Sequence, residues 1–293
     1  MTGYHRNIWR TEIYKVMKKI PFLHLMLFIL TLLSTLTVGA VQSGVDVLKT
    51  PGEIYKGIPF AVTLMVILLS HELSHYFTSK RHGVKATLPY FIPAPTIIGT
   101  FGAFIKMKSP IVTRQSLIDI GASGPIAGFV ISVIATIVGL SMSEVVTTTR
   151  TAGALNLGDS ILFSFLSRAI LGVTSHGQDV LLNPVAFAGW IGLFVTSINL
   201  IPVGQLDGGH IAYALLGERQ VQLSVVLIII MAALGFFLWE GWGVWAILLL
   251  ILGFRHPPVL YWEVPLDNKR KFIGWSALVI FILTFIPVPF QIL

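Results

Sequence analysis

Two histidines four residues apart, with a glutamate following the first, stand out in this chain: His71, Glu72 and His75. On an α-helix, positions i and i+4 share a face, so both imidazoles can grip one metal ion. Glu72 sits beside them, placed to take a proton from a water that such a metal activates. Residues 57–70 lead straight into this group without a single charged side chain. Two imidazoles and a carboxylate at membrane depth are costly, so their presence there is a functional signal by default.

Composition bounds the chemistry. The chain has 293 residues, of which only 11% are charged, and its mean hydropathy is +0.83. A soluble domain carries about 25% charge, so the sequence reads as a polytopic membrane protein. No soluble domain of about 100 residues fits between its apolar segments. The absence of cysteine excludes disulfides, thiolate ligands and a thiol nucleophile. A transition-metal site must therefore use His, Asp and Glu. The formal charge of +7 could suggest nucleic acid, but the cations flank apolar runs, which fits topology better.

A catalytic zinc keeps three protein ligands and one open position. The best third ligand is Asp207, in a segment where Asn199 and Pro202 precede Asp207, Gly208, Gly209 and His210. Pro202 breaks a helix there, and a broken helix at membrane depth is tolerated where it lines a buried or wet site.

The elements that must position these residues are long apolar runs at about 21–41, 57–79, 116–140, 184–203, 221–239 and 272–292, with a shorter one at about 242–254. Each long run is near the roughly 20 residues a spanning helix needs. The fold expected is an all-α polytopic membrane protein of six or seven transmembrane helices with a re-entrant, β-hairpin-like loop. Residues 1–20 form a basic N-terminal segment and 21–293 the membrane domain, with its core at about 57–257. The first run is too long for the apolar part of a cleaved signal and reads as a retained helix. With the N-terminus in the cytoplasm and seven spans, all Lys and Arg but Lys49, Lys56, Arg150 and Arg168 fall on the cytoplasmic side. That asymmetry is what the positive-inside rule predicts. It brings His71, His75 and Asp207 to one depth, near the cytoplasmic face.

His71, Glu72 and His75 on one helix, with Asn199, Pro202, Leu206, Asp207 and Gly208 on a later one, resemble the site-2 protease family of intramembrane zinc metalloproteases. The small-residue stretch 121–128 resembles the family's motif on the intervening helix, and residues 101–110 resemble its plastid and bacterial branch. The resemblance covers residues 57 to 257 and fits a compact form with no evident PDZ or CBS domain. It implies one catalytic zinc held by His71, His75 and Asp207, with Glu72 as general base. It further implies that Asn199 supports the substrate or the developing oxyanion, and that the loop at 88–109 offers a strand edge to substrate. The expected activity is cleavage of transmembrane segments of single-pass proteins. The expected partners are the substrate helix, the lipid bilayer and an adaptor or upstream protease, with no nucleic acid. A prokaryotic inner membrane is the expected home. Two non-enzymatic readings compete: a divalent-metal transporter, and a silent adaptor that binds membrane helices. Inverted repeats, common in transporters, are not visible, and intact His71, Glu72, His75 and Asp207 argue against silence.

The remaining polar residues read plainly. Asp119 reads as a solvated interfacial carboxylate, His24 as packed on an apolar helix, and His210 as a second-sphere or surface residue. His256 reads as a loop residue, and His5, His82 and His176 as loop or interfacial. Glycines at 121–128 let helices approach closely. Residues 141–183 form a polar loop on the outer side, with an amphipathic helix at 160–171.

Overall fold

The computed structural model describes residues 21–147, 155–172 and 178–292. The basic segment 1–20, His5, Arg150 and His176 lie outside the described residues.

The described chain is mostly helical. Helix α1 (Phe22–Gln42) is followed by a 3-10 turn (Pro51–Gly57) that runs into α2 (Ile58–Arg81). Pro59 is tolerated in the first turn of α2, where its missing N–H costs nothing. Lys80 and Arg81 in its last turn complement the helix dipole. An antiparallel hairpin follows, β1 (Tyr90–Pro93) with β2 (Thr100–Phe104), its register shifting between Phe91 and Pro93. Pro89, Pro93 and Pro95 forbid a helix here, so the expected hairpin-like loop is present.

Helix α3 (Arg114–Leu140) starts on a capping box of Thr113 and Ser116. Beyond it lie β3 (Glu144–Thr147), β4 (Leu155–Leu157), the amphipathic α4 (Ile161–Leu171) and β5 (Gln178–Leu181). Then come α5 (Pro184–Asn199), α6 (Asp207–Leu216), α7 (Arg219–Phe237), α8 (Gly241–Leu252), α9 (Asn268–Thr284) and β6 (Phe290–Ile292). Among the described residues, four segments are long and apolar enough to cross a membrane: α1, the unit Pro51–Arg81, α3 and α7. The apolar runs expected at 184–203, 242–254 and 272–292 form the shorter helices α5, α8 and α9, of 16, 12 and 17 residues.

One expectation needs correction. The loop at 141–183 is not only polar coil with one helix. Strand β3 pairs with β5, and β4 pairs with the C-terminal β6, both antiparallel. Strands of three or four residues leave no readable alternation in the sequence, and β4 finds its partner more than 130 residues away. Pairing satisfies backbone N–H and C=O groups along these short segments.

Helix α5 is the centre of the core. Trp190, Ile191 and Leu193 are fully buried, and the Trp190 indole N–H donates to the Gly158 carbonyl at 2.8 Å. Helices α2 and α3 flank it. At the opposite end of α3, Asp119 is no solvated carboxylate. Arg270 of α9 grips it through Nη2 at 2.6 Å and Nε at 3.0 Å, and His82, just past α2, reaches it at 2.9 Å. Arg270 also holds Asp267 at 2.6 Å. One carboxylate thus ties the ends of α2, α3 and α9. Asp119→Asn is expected to lower stability by roughly 1–2 kcal/mol, read as a lower Tm in detergent. An unchanged Tm would place the cluster among surface pairs of no measurable weight.

Candidate metal centre and active site

Helix α2 carries His71, Glu72 and His75, all buried at 5–6% exposure. Pro202 and the turn after α5 bring Asp207 to the first residue of α6, facing them. The His71 and His75 Nε2 atoms lie 3.1 Å apart. The Asp207 Oδ2 atom is 3.1 Å from the first and 3.2 Å from the second. Ligands about 2.0–2.1 Å from a tetrahedral zinc sit roughly 3.3 Å from one another. The observed triangle matches that edge to within a few tenths of an ångström, and a donor set of two imidazoles and a carboxylate suits zinc. The residues present therefore fit the metal that the sequence implies.

The orientation of His75 is fixed from behind. Its Nδ1 lies 2.8 Å from the Ile120 carbonyl. A carbonyl only accepts, so the proton belongs on Nδ1 and the Nε2 lone pair is left free for a metal. Asp119, the three-helix clamp, immediately precedes that carbonyl in sequence.

The small residues at 121–128 have a sharper role than loose helix packing. A Cβ on Gly124 would fall 2.0 Å from His75 Nε2, and one on Gly128 would fall 3.1 Å from His71 Nδ1. These glycines lie directly against the two imidazoles and leave the space they occupy. Gly208 does similar service for Asp207: a Cβ there would meet the Leu200 carbonyl at 2.0 Å, so the chain can fold tightly back beneath α5.

The backbone of Ile105, one residue past β2, lies near the Glu72 carboxylate, so the hairpin ends beside the glutamate that adjoins the metal donors. Strand β2 pairs on one side only among the described residues, and Phe101 and Phe104 on it are exposed. Asn199 is the last residue of α5, half-buried at the helix break that delivers Asp207.

His210 is not a bystander. Its Nδ1 lies 2.6 Å from His256 Nε2, and His256 Nδ1 lies 2.6 Å from the Pro257 carbonyl. With the His256 proton donated to that carbonyl, His210 is the donor to His256. The His256 ring stacks on Tyr213 at 4.4 Å. The pair ties α6 to the loop after α8, one helical turn from Asp207. Among the described residues, the only cluster of three potential metal donors is His71, His75 and Asp207.

Sequence reasoning missed Ile120 and the direct contact of Gly124. The first acts through a backbone atom, which no side-chain type announces. The glycine stretch is visible in sequence, but its partner is not.

Comparison with known proteins gives the family of the chain. The model of peptidase family M50 matches residues 59–239, and the chain belongs to that family. It is similar to the probable chloroplastic zinc metalloprotease EGY1 of Arabidopsis thaliana, 33% identical over 238 residues, covering 79% of this chain and 43% of that protein. It is also similar to the probable chloroplastic zinc metalloprotease EGY2 of the same plant, 29% identical over 80% of this chain and 42% of the relative. A rice protein of the first name, from Oryza sativa subsp. japonica, is 36% identical over 55% of this chain and 28% of its own length. The chain thus spans less than half the length of these relatives.

Gly124→Ala is expected to weaken zinc binding at least about tenfold, the scale on which second-sphere changes act. Gly52→Ala, which opens onto free space, serves as the control and leaves zinc binding unchanged. Zinc titration by competition with a chelator checks both. Wild-type affinity in Gly124→Ala would show that the imidazoles do not need that space.

Proposed function

We propose that this chain is a zinc-dependent intramembrane endopeptidase that cleaves transmembrane segments of single-pass proteins. The observation that carries the reading is the convergence of His71, His75 and Asp207 within 4.8 Å, beside Glu72, on an apolar helix. Membership of family M50 and relatives named as probable zinc metalloproteases support it.

In this reading His71 Nε2, His75 Nε2 and Asp207 Oδ2 hold one zinc ion. Bound zinc supplies Lewis acidity toward the scissile carbonyl and acidifies water to near neutrality. Glu72 accepts the proton of the attacking water and passes it to the leaving amine. Ile120 keeps the His75 ring aimed. Asn199 supports the substrate carbonyl as charge develops on its oxygen.

A substrate helix must unwind to be cut, which frees backbone groups that lipid cannot satisfy. The free edge of β2 supplies partners for them, in the manner of strand addition. Its exposed Phe101 and Phe104 suit apolar substrate side chains. The hairpin ends beside Glu72, so an added strand would lie across the metal donors. Burial of the donors excludes bulk water and strengthens each charge interaction in the site.

The proposed topology has the N-terminus in the cytoplasm, six or seven spans, and the site near the cytoplasmic face, as the placement of Lys and Arg implies. Products leave toward the cytoplasm. An adaptor or upstream protease supplies the substrate.

Purified wild-type protein in detergent is expected to cleave a panel of single-pass helices. Glu72→Gln is expected to retain about one zinc per chain and lose activity at least about a hundredfold, the scale of a general base. Equal cleavage by the two proteins would overturn both the base and the mechanism.

A further inference from the structure

We propose that His24, Ser34 and Gln42 of α1 are positioning residues that hold the hairpin, which ends beside Glu72, in its place against α2. The proposal rests on the peptidase reading and extends the working site to the first helix.

Three side chains of α1 reach backbone carbonyls of the hairpin segment. His24 Nδ1 lies 3.0 Å from the Pro89 oxygen. Ser34 Oγ donates to the Gly99 oxygen at 2.6 Å. Gln42 Nε2 donates to the Ile97 oxygen at 3.1 Å. From His24 to Gln42 the helix rises about 27 Å at 1.5 Å per residue. The first arm is extended only from Tyr90 to Pro93, and the chain turns over residues 95–99. The contacts therefore hold the start of that arm beside His24 and its tip beside Ser34 and Gln42.

The contacts answer a backbone problem. A hairpin of two short strands leaves carbonyls outside its ladder, and lipid offers them no donor. His24 and Gln42 supply partners to the Pro89 and Ile97 carbonyls, and Ser34 adds a second donor to the Gly99 carbonyl, which also accepts from the Ala94 N–H at 3.2 Å. The rest of the helix fits the same role. Its buried residues are His24, Thr31, Thr35, Gly39 and Ala40, while Leu23, Leu25, Ile29, Leu30 and Leu33 are exposed. A plain membrane anchor needs no polar face.

Two further contacts set the fit independently. Gly99 has φ +82°, and a Cβ there would lie 2.9 Å from the Ser34 oxygen, so the tip turn presses against the helix backbone. At the other end the His24 ring lies 4.0 Å from the Tyr90 ring, and Tyr90 stacks on Phe104 at 5.4 Å. Tyr90 and Phe104 are also cross-strand partners. Phe104 precedes Ile105, whose backbone lies near Glu72. A path of contacts therefore runs from His24 to the end of the hairpin beside the base without touching a metal donor.

The test uses the full chain with His24→Ala, Ser34→Ala and the double variant, each with its zinc content and steady-state kinetics. Two conservative variants, His24→Asn and Ser34→Thr, keep a donor at each position. The double alanine variant is expected to hold wild-type zinc and lose kcat on the order of tenfold, with KM changed less than about twofold. The conservative variants are expected to restore most of kcat. Because the chain has no cysteine, spin labels on Leu33→Cys and Phe101→Cys give a helix-to-hairpin distance that does not depend on activity. That distance is expected to be narrow in the wild-type background and broad in the double alanine variant. Wild-type kcat in the double variant, or an unchanged narrow distance, would overturn the proposal. If Glu72→Gln cleaves like wild type, the peptidase reading fails, and the distance measurement alone then decides whether α1 holds the hairpin.

Discussion

Charge cannot be left unbalanced at membrane depth, and the rest of this structure depends on how that is met around α2. A divalent ion with one aspartate and two neutral imidazoles leaves one positive charge, and the neighbouring Glu72 carboxylate brings the sum to zero. Balance alone is insufficient, because each buried polar atom also needs a partner. The Ile120 carbonyl provides it for His75, so α3 must sit where it does, and the hairpin ends beside Glu72.

That requirement explains the small residues of α3. The helix must bring a carbonyl within hydrogen-bond reach of His75 while leaving room for two imidazoles and an ion. Glycine at 124 and 128 satisfies both demands. The ion pairs around Asp119 pin the same end of α3 to α2 and α9. Helix break, glycine stretch and ion-pair clamp are three local devices that serve one geometry. Each lies within a turn or two of a metal donor.

The sequence carried the donor set clearly. His71 and His75 at i and i+4 announce a shared face, and an Asp-Gly-Gly after Pro202 announces a broken helix of matching depth. The longest helices, α1, α2, α3 and α7, were legible because each is a largely continuous apolar run of 19–27 residues. The hairpin was legible through its prolines. The partners of these residues were not. Asp119 finds Arg270 at a separation of 151 residues, and charge type alone gives no hint of it. Strands β3 to β6 were missed because each is too short to show alternation. His24 read as a packed residue, which is true, but its contact with Pro89 depends on a loop that no local pattern places. Long-range pairing is the common physical reason for what was hidden.

The central claim is that His71, His75 and Asp207 together hold one zinc. X-ray absorption at the zinc edge of the purified, zinc-loaded protein tests it most directly, with His75→Ala and Asp207→Ala alongside. The account predicts about one zinc with two imidazoles and oxygen ligands at about 2.0–2.1 Å. It also predicts loss of one imidazole in the first variant and of none in the second. A wild-type imidazole count in His75→Ala, or zinc bound in wild type by oxygen ligands alone, would contradict it.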